Sequence, residues 1–202
     1  MCNLSNIHHL LPEIVHNTGA HPIDRLKDVF AAMDRKYREA AGHYGFNCRG
    51  CEDNCCYTLF YHHTLLEYLY IFKGFQILDS EKQIEIKHRA QAVCRKTDQA
   101  DREGRSVRLL CPLNFDGLCL LYEYRPMICR LHGIPHELQI PKMGYTYKPG
   151  CGVFSEQCLQ EDYFKFDRTP FYRDMAKLEK ELRQAVNITQ KVKYTVAQIF
   201  VL

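Results

Sequence analysis

Hydrophobic and polar positions along this chain recur mainly with the period of a helix. Between Ile23 and about Tyr44, the residues Leu26, Val29, Phe30, Met33, Tyr37 and Tyr44 return at three- and four-residue spacing, which predicts an amphipathic helix with Gly45 just past its end. From Tyr57 to Leu78 the apolar and aromatic positions (Phe60, Tyr61, Leu65, Tyr68, Leu69, Phe72, Phe75) cover most of the circumference, so this stretch reads as a central helix buried on several sides, ended or bent at Gly74. Asp79 and Ser80, with Gln83 three residues after Ser80, give a capping-box signal. Ile86, Ala90, Val93, Cys94 and Thr97 then mark one face of a third helix, which fades into the charged stretch Lys96 to Arg105. Thr169 and Pro170 open a last long helix over about residues 170–188, with Phe171, Met175, Leu178, Leu182 and Val186 as its buried stripe. Thr195 with Gln198 caps a final turn.

The pattern changes at Val107. Val107, Leu109 and Cys111 alternate, Asn114 to Gly117 supply turn chemistry, and Leu118, Leu120, Tyr122 and Tyr124 alternate again, which predicts a β-hairpin. Pro126 suits the first turn of a short helix carrying Met127 to His132, closed by Gly133. Beyond it, Pro135, Pro141, Gly144, Pro149, Gly150 and Gly152 punctuate an irregular stretch, with a second ribbon through Leu138, Ile140, Tyr145 and Tyr147. The expected fold is mainly α with a small β-hairpin. It is a single helical domain over residues 1–202, in which helices 23–44 and 170–188 flank a cysteine-rich, irregular metal centre at residues 45–152.

At 202 residues and 46% hydrophobic, the chain can bury a sizeable core without disulfide staples. Its net charge of +3, from 27 Lys and Arg against 24 Asp and Glu, is too balanced for a nucleic-acid footprint or a polybasic membrane anchor. No run reaches the roughly 20 apolar residues that span a bilayer. Even Leu65 to Phe72 contains Glu67. Residues 1–17 lack a basic leader and are interrupted by His8, His9 and Pro12, so a cytoplasmic location is expected.

The departure from ordinary composition is cysteine, with 11 residues. An odd number in a chain without an export signal argues for thiols that hold a metal rather than for a disulfide framework. Cys48, Cys51, Cys55 and Cys56 fall within nine residues in a segment too polar to be core (Asn47, Arg49, Gly50, Glu52, Asp53, Asn54). A C-x2-C spacing lets a tight turn aim two thiolates at one cation while backbone N–H groups bond to sulfur, as zinc and iron–sulfur sites both require. Adjacent side chains in an extended backbone point apart, which sets Cys56 against sharing an ion with Cys55. Cys111 and Cys119 flank the Asp116-Gly117 turn, Cys129 sits on the next short helix and Cys151 lies further on, which makes them candidate co-ligands. Eight thiols could serve one cluster with spares, two mononuclear ions or two clusters. Four thiolates around Zn2+ or a 2+ cluster carry a formal charge of about −2, so Arg49, Arg125 and Arg130 are candidate donors to sulfur.

The histidines point less clearly to metal. Cys129, His132 and His136 follow C-x2-H-x3-H, but Gly133 and Pro135 interrupt any helix there. His62 and His63 fall on the expected central helix near Glu67 and lack the H-E-x-x-H spacing of metalloproteases, so they read as core or surface residues. Cys2, Cys94 and Cys158 are isolated and read as spare thiols, with Cys94 packed on its helix face.

The run Cys48 to Cys56, then Cys111-Pro112-Leu113, then Asp116-Gly117-Leu118-Cys119, then Tyr122-Glu123-Tyr124-Arg125-Pro126-Met127-Ile128-Cys129-Arg130, resembles the CxxCxxCC family of zinc- or iron-chelating domains. The resemblance covers Asn47 to Cys151, about half the chain, and departs from the pattern in placing three residues rather than two between Cys51 and the vicinal pair. It implies Cys48, Cys51, Cys55, Cys56, Cys111, Cys119, Cys129 and Cys151 as ligands. The family is similar to the cysteine-rich part of flagellin lysine N-methylase, which implies an iron–sulfur centre and methyl transfer as an activity, although the chain carries no recognisable nucleotide-binding loop. Three functions are therefore expected to compete. The first is a metal-binding protein holding a 4Fe-4S cluster or zinc, the second an iron–sulfur-dependent modifying enzyme, and the third a zinc-stabilised module that grips another protein.

Overall fold

The computed structural model describes residues 22–47, 55–158 and 161–201. Among these, seven helices and two small antiparallel ribbons are present: α1 (Pro22–Tyr44), α2 (Leu65–Gln76), α3 (Ser80–Arg102), β1 (Asn114–Phe115), β2 (Leu118–Cys119), α4 (Met127–Arg130), β3 (His136–Ile140), β4 (Gly144–Lys148), α5 (Gly152–Gln157), α6 (Thr169–Ala185) and α7 (Val196–Ile199). Short 3-10 turns occupy Cys55–Tyr57 and Tyr122–Tyr124. The architecture is mainly α, as the periodicity predicts.

Helices α1, α2 and α6 pack on one another. Their apolar stripes supply the centre of the core: Leu26, Phe30 and Met33 from α1, Leu66, Leu69 and Ile71 from α2, and Met175, Leu178 and Leu182 from α6, all buried. Helix α3 lies against α7 and adds Ile86 and Ala90. Burial of the Leu, Ile, Phe and Met side chains among these, each worth about 1.5–3 kcal/mol, is the main force holding the helices together. Cys94 is a partly buried member of this packing, in line with its place on the α3 face.

Several boundaries differ from those the sequence predicts. The central helix does not begin at Tyr57 but at Leu65, capped by Thr64, whose Oγ1 accepts the Glu67 N–H at 3.2 Å. The preceding segment is drawn out instead, because His62 exchanges backbone hydrogen bonds with Tyr194 (2.8 and 3.1 Å). His62 and His63 are therefore not on the helix. Gly74 does not end α2, which runs on to Gln76; it admits the Tyr124 ring, and a Cβ there would sit only 2.9 Å from Tyr124 Cβ. The cap of α3 is Asp79, which accepts from Lys82 N–H at 2.8 Å, while the Gln83 amide donates to the Leu78 carbonyl rather than closing a box with Ser80. That helix runs on through the charged stretch to Arg102. Helix α6 stops at Ala185, where Asn187 enters the left-handed region (φ 50°) and ends the turn.

The hairpin is much shorter than the alternation suggests. Only Asn114 with Cys119 and Phe115 with Leu118 are paired, around an Asp116-Gly117 turn in which both residues have positive φ (51° and 83°). Pro112 has no N–H for a ladder, and the Cys111 N–H is taken by the Cys56 carbonyl at 2.7 Å, so residues 107–111 join a different part of the molecule. The second ribbon forms as expected, with Leu138 opposite Thr146 and Ile140 opposite Gly144. The Thr195–Gln198 capping box is also present.

Candidate metal centre

Four separate segments bring cysteines to one place. The 3-10 turn Cys55–Tyr57 carries the vicinal pair, the approach to β1 carries Cys111, β2 carries Cys119, and α4 carries Cys129. The turn matters because it curls the backbone that an extended pair would keep straight: the Cys56 thiol hydrogen-bonds with Cys55, and Cys55 in turn with Cys129. Cys111 lies within electrostatic reach of Cys55, Cys56 and Cys119. Cys55, Cys56, Cys111 and Cys129 also share a small cavity of about 50 Å³, with Val93 of α3 and Ala197 of α7 on its other walls. All eight described cysteines are free thiols.

Four of the gathered thiols, Cys55, Cys56, Cys111 and Cys119, are shifted toward the protonated form. Cys55 is pushed up to about 12, chiefly by its hydrogen bond to Cys129, and Cys119 to about 11 by burial. Cys56 is raised first by Cys55 and then by burial; Cys111 is raised by burial. Groups built into the site oppose this. The Leu113 N–H bonds to Cys111 sulfur and the Leu121 N–H to Cys119 sulfur, each from two residues further along, and both favour the thiolate. Asn114 does the same for Cys56. Its amide nitrogen is buried beside that thiol. Sequence reasoning missed Asn114, reading it only as a turn former; its signal was its position directly between Cys111 and Cys119. Backbone N–H groups thus favour the thiolate at Cys111 and Cys119, and the Asn114 amide favours it at Cys56.

Glu67 places Cys129 in this set. Its buried carboxylate accepts the Met127 N–H at 2.9 Å and the Thr64 hydroxyl at 2.6 Å, so α2 caps the four-residue helix that carries the cysteine. Arg130 anchors the same helix from the other side. It is buried, pairs with Asp34 of α1 at 2.5 Å, donates to the carbonyls of Arg125 and Glu123, and stacks on Phe30. Arg125 stacks on Tyr122 at 3.3 Å and donates to that residue's carbonyl. What the two arginines bring to the thiols is charge: Arg125 favours the ionised forms of Cys56 and Cys119, and Arg130 that of Cys119. Buried Arg168 fixes the exit from α4 by donating to the carbonyls of Leu131 and Ile134.

The remaining candidates make other contacts. Cys151 caps α5, its sulfur accepting the Phe154 N–H at 3.4 Å, and its thiol neighbour is Cys158. His136 opens β3 with its ring on the Ile134 carbonyl, and His132 packs edge-on against Phe60. Cys48, Arg49 and Cys51 fall outside the described residues, as does Cys2. Among the described residues, no group of three or more His, Cys, Asp or Glu side chains is placed to hold a metal ion. Comparison with models of known protein families, with curated protein sequences and with solved structures gave no match. Among the described residues, no helix is long and apolar enough to cross a membrane.

Proposed function

We propose that this protein is a metal-binding protein whose thiols at Cys55, Cys56, Cys111, Cys119 and Cys129 hold an iron–sulfur cluster. The observation that carries the reading is the gathering of these five thiols from four segments, with N–H donors of Leu113, Leu121 and Asn114 directed at them. Burial of small apolar side chains does not account for it, because an ordinary core cysteine has no use for a donor that stabilises its thiolate. Five thiols supply the four ligands that either a 4Fe-4S cluster or a tetrahedral zinc takes, with one to spare. Cys48 and Cys51 join the proposal from the sequence pattern. When bound, the cluster supplies electron-transfer or structural chemistry; the chain's own part is to hold the thiolates, offset their charge through Arg125 and Arg130, and limit solvent access. A reducing, cytoplasmic setting suits this chemistry, since the thiols must stay reduced to bind.

Zinc is the second reading, favoured by the small cavity of about 50 Å³ among the cysteines, which has room for a single ion. Anaerobic purification followed by iron, zinc and acid-labile sulfide analysis tests both. The cluster reading expects a brown protein containing iron and sulfide, which Cys48→Ser with Cys51→Ser abolishes. Colourless protein with stoichiometric zinc and no sulfide replaces it with the zinc site, and protein that takes up neither under reducing conditions overturns metal binding altogether.

A further inference from the structure

We propose that the chain forms a symmetric dimer through the outer edge of β4, in which two copies of the β3–β4 ribbon join into one antiparallel sheet. The ribbon is a two-stranded sheet whose two edges differ. The outer edge of β3 is occupied: the Glu137 N–H donates to the Phe166 carbonyl at 2.9 Å, its carbonyl accepts the Arg168 N–H at 3.0 Å, and the Gln139 N–H donates to Thr169 Oγ1 at 2.8 Å. Residues opposite each other in an antiparallel pair turn their N–H and C=O groups either toward one another or both away. Glu137 is opposite Tyr147 and Gln139 opposite Tyr145, so the two tyrosines also turn theirs away from β3. Among the described residues these outward groups have no backbone partner.

Sheets that stay unpaired blunt an open edge with charge, proline or a bulge. Strand β4 has none of these between Gly144 and Tyr147; Lys148 stands at its end and Pro149 beyond it. What the edge carries instead is apolar. Met143 is 72% exposed, Tyr145 61% and Tyr147 55%, and Tyr163 lies edge-on to Tyr147 at 5.3 Å. An open ladder with large apolar side chains beside it is a surface that a further strand covers.

The placing of the open groups selects a second copy as that strand. Tyr145 and Tyr147 stand symmetrically about Thr146, so a two-fold axis at Thr146 sets Tyr145 opposite the partner's Tyr147 and Tyr147 opposite the partner's Tyr145. Each pair exchanges an N–H···O bond in both directions, which satisfies every outward group of the two tyrosines. On one face the tyrosine rings meet across the new seam, and on the other Thr146 meets its own copy; aromatic and Thr–Thr pairs are both favourable across strands. Lys148 falls opposite the partner's Gly144, so no like charges face each other directly. An unrelated strand could fill the hydrogen bonds, but a second copy also brings the matching rings. The dimer uses none of the cysteines and is independent of the metal reading.

One short strand a side is well below the roughly 20–30 residues of a standard interface, so the dimer is weak, with a Kd of about 10–100 µM. Sedimentation equilibrium of the full chain, with reductant present to exclude disulfide links, should show the mass rising from one chain toward two over about 1–500 µM. Tyr147→Pro removes an outward N–H without touching the pairing to β3, and should weaken association by about tenfold or more. The double variants Tyr145→Lys with Tyr147→Lys, and Tyr145→Glu with Tyr147→Glu, should each stay monomeric. Mixing the two should restore association, because opposite charges then face each other across the seam. These exposed positions keep the test decisive if the proline disturbs the ribbon. A wild-type chain that stays monomeric throughout, a dimer that the charged variants leave intact, or charged variants that do not associate when mixed overturns the proposal.

Discussion

Glu179 on α6 accepts the backbone N–H groups of both Leu65 (2.9 Å) and Leu66 (3.0 Å), so a carboxylate from one helix caps the first turn of another. The first N–H groups of a helix have no partner within it, and the partial positive charge there favours an anion. Glu179 is buried and also pairs with Arg183. Its role is to fix where α2 starts, and through Glu67 on α2 it fixes where α4 and Cys129 sit.

Replacing Glu179 with alanine should therefore destabilise the protein by about 3 kcal/mol, because two buried N–H groups and a guanidinium lose their acceptor together. Urea denaturation measures this. A loss below about 0.5 kcal/mol would mean that solvent replaces the carboxylate and that the cap is incidental.

Gly74→Ala should destabilise by about 1–3 kcal/mol, although alanine is the better helix former by about 1 kcal/mol. The reason is the Tyr124 ring, which lies over Gly74 and against Tyr70 at 5.0 Å. Thermal denaturation decides between the two effects. A raised Tm would show that Tyr124 moves aside at no cost.

Stability should decline as pH falls from about 6.5 toward 4. His62 titrates near 4 when folded and near 6.5 when unfolded, so between these values the unfolded chain binds more protons and stability rises with pH. The window of about 2.5 pH units corresponds to roughly 3 kcal/mol for this buried ring. Comparing urea midpoints of wild type and His62→Phe across this range isolates the effect. Parallel curves would show that His62 does not drive it.

Metal content should distinguish the cysteines by location. Cys129→Ser and Cys111→Ser should each lower bound metal severalfold, while Cys151→Ser should leave it near wild type, because serine offers a hard, poorly ionised oxygen only where a thiolate is needed. Elemental analysis of the purified variants reads this directly. Equal loss in Cys151→Ser would move the centre toward Cys158 and α5.

The sequence by itself determined what depends on near neighbours in the chain. The apolar stripes of α1, α3 and α6, the Asp116-Gly117 turn and the Thr195–Gln198 cap follow from periods and side-chain chemistry within a few residues, and they stand where the pattern puts them. The clustering of cysteines in sequence also marked the region where the candidate centre lies. What the tertiary structure decided is where distant polar groups find partners. The start of α2 depends on Glu179, 114 residues from Leu65, and on the pairing of His62 with Tyr194. The hairpin is cut short because the Cys111 N–H goes to Cys56. The Cys151 sulfur is taken up as the cap of α5, which no spacing in the sequence announces. A backbone N–H must be satisfied by some acceptor, and which one depends on packing that no local pattern encodes.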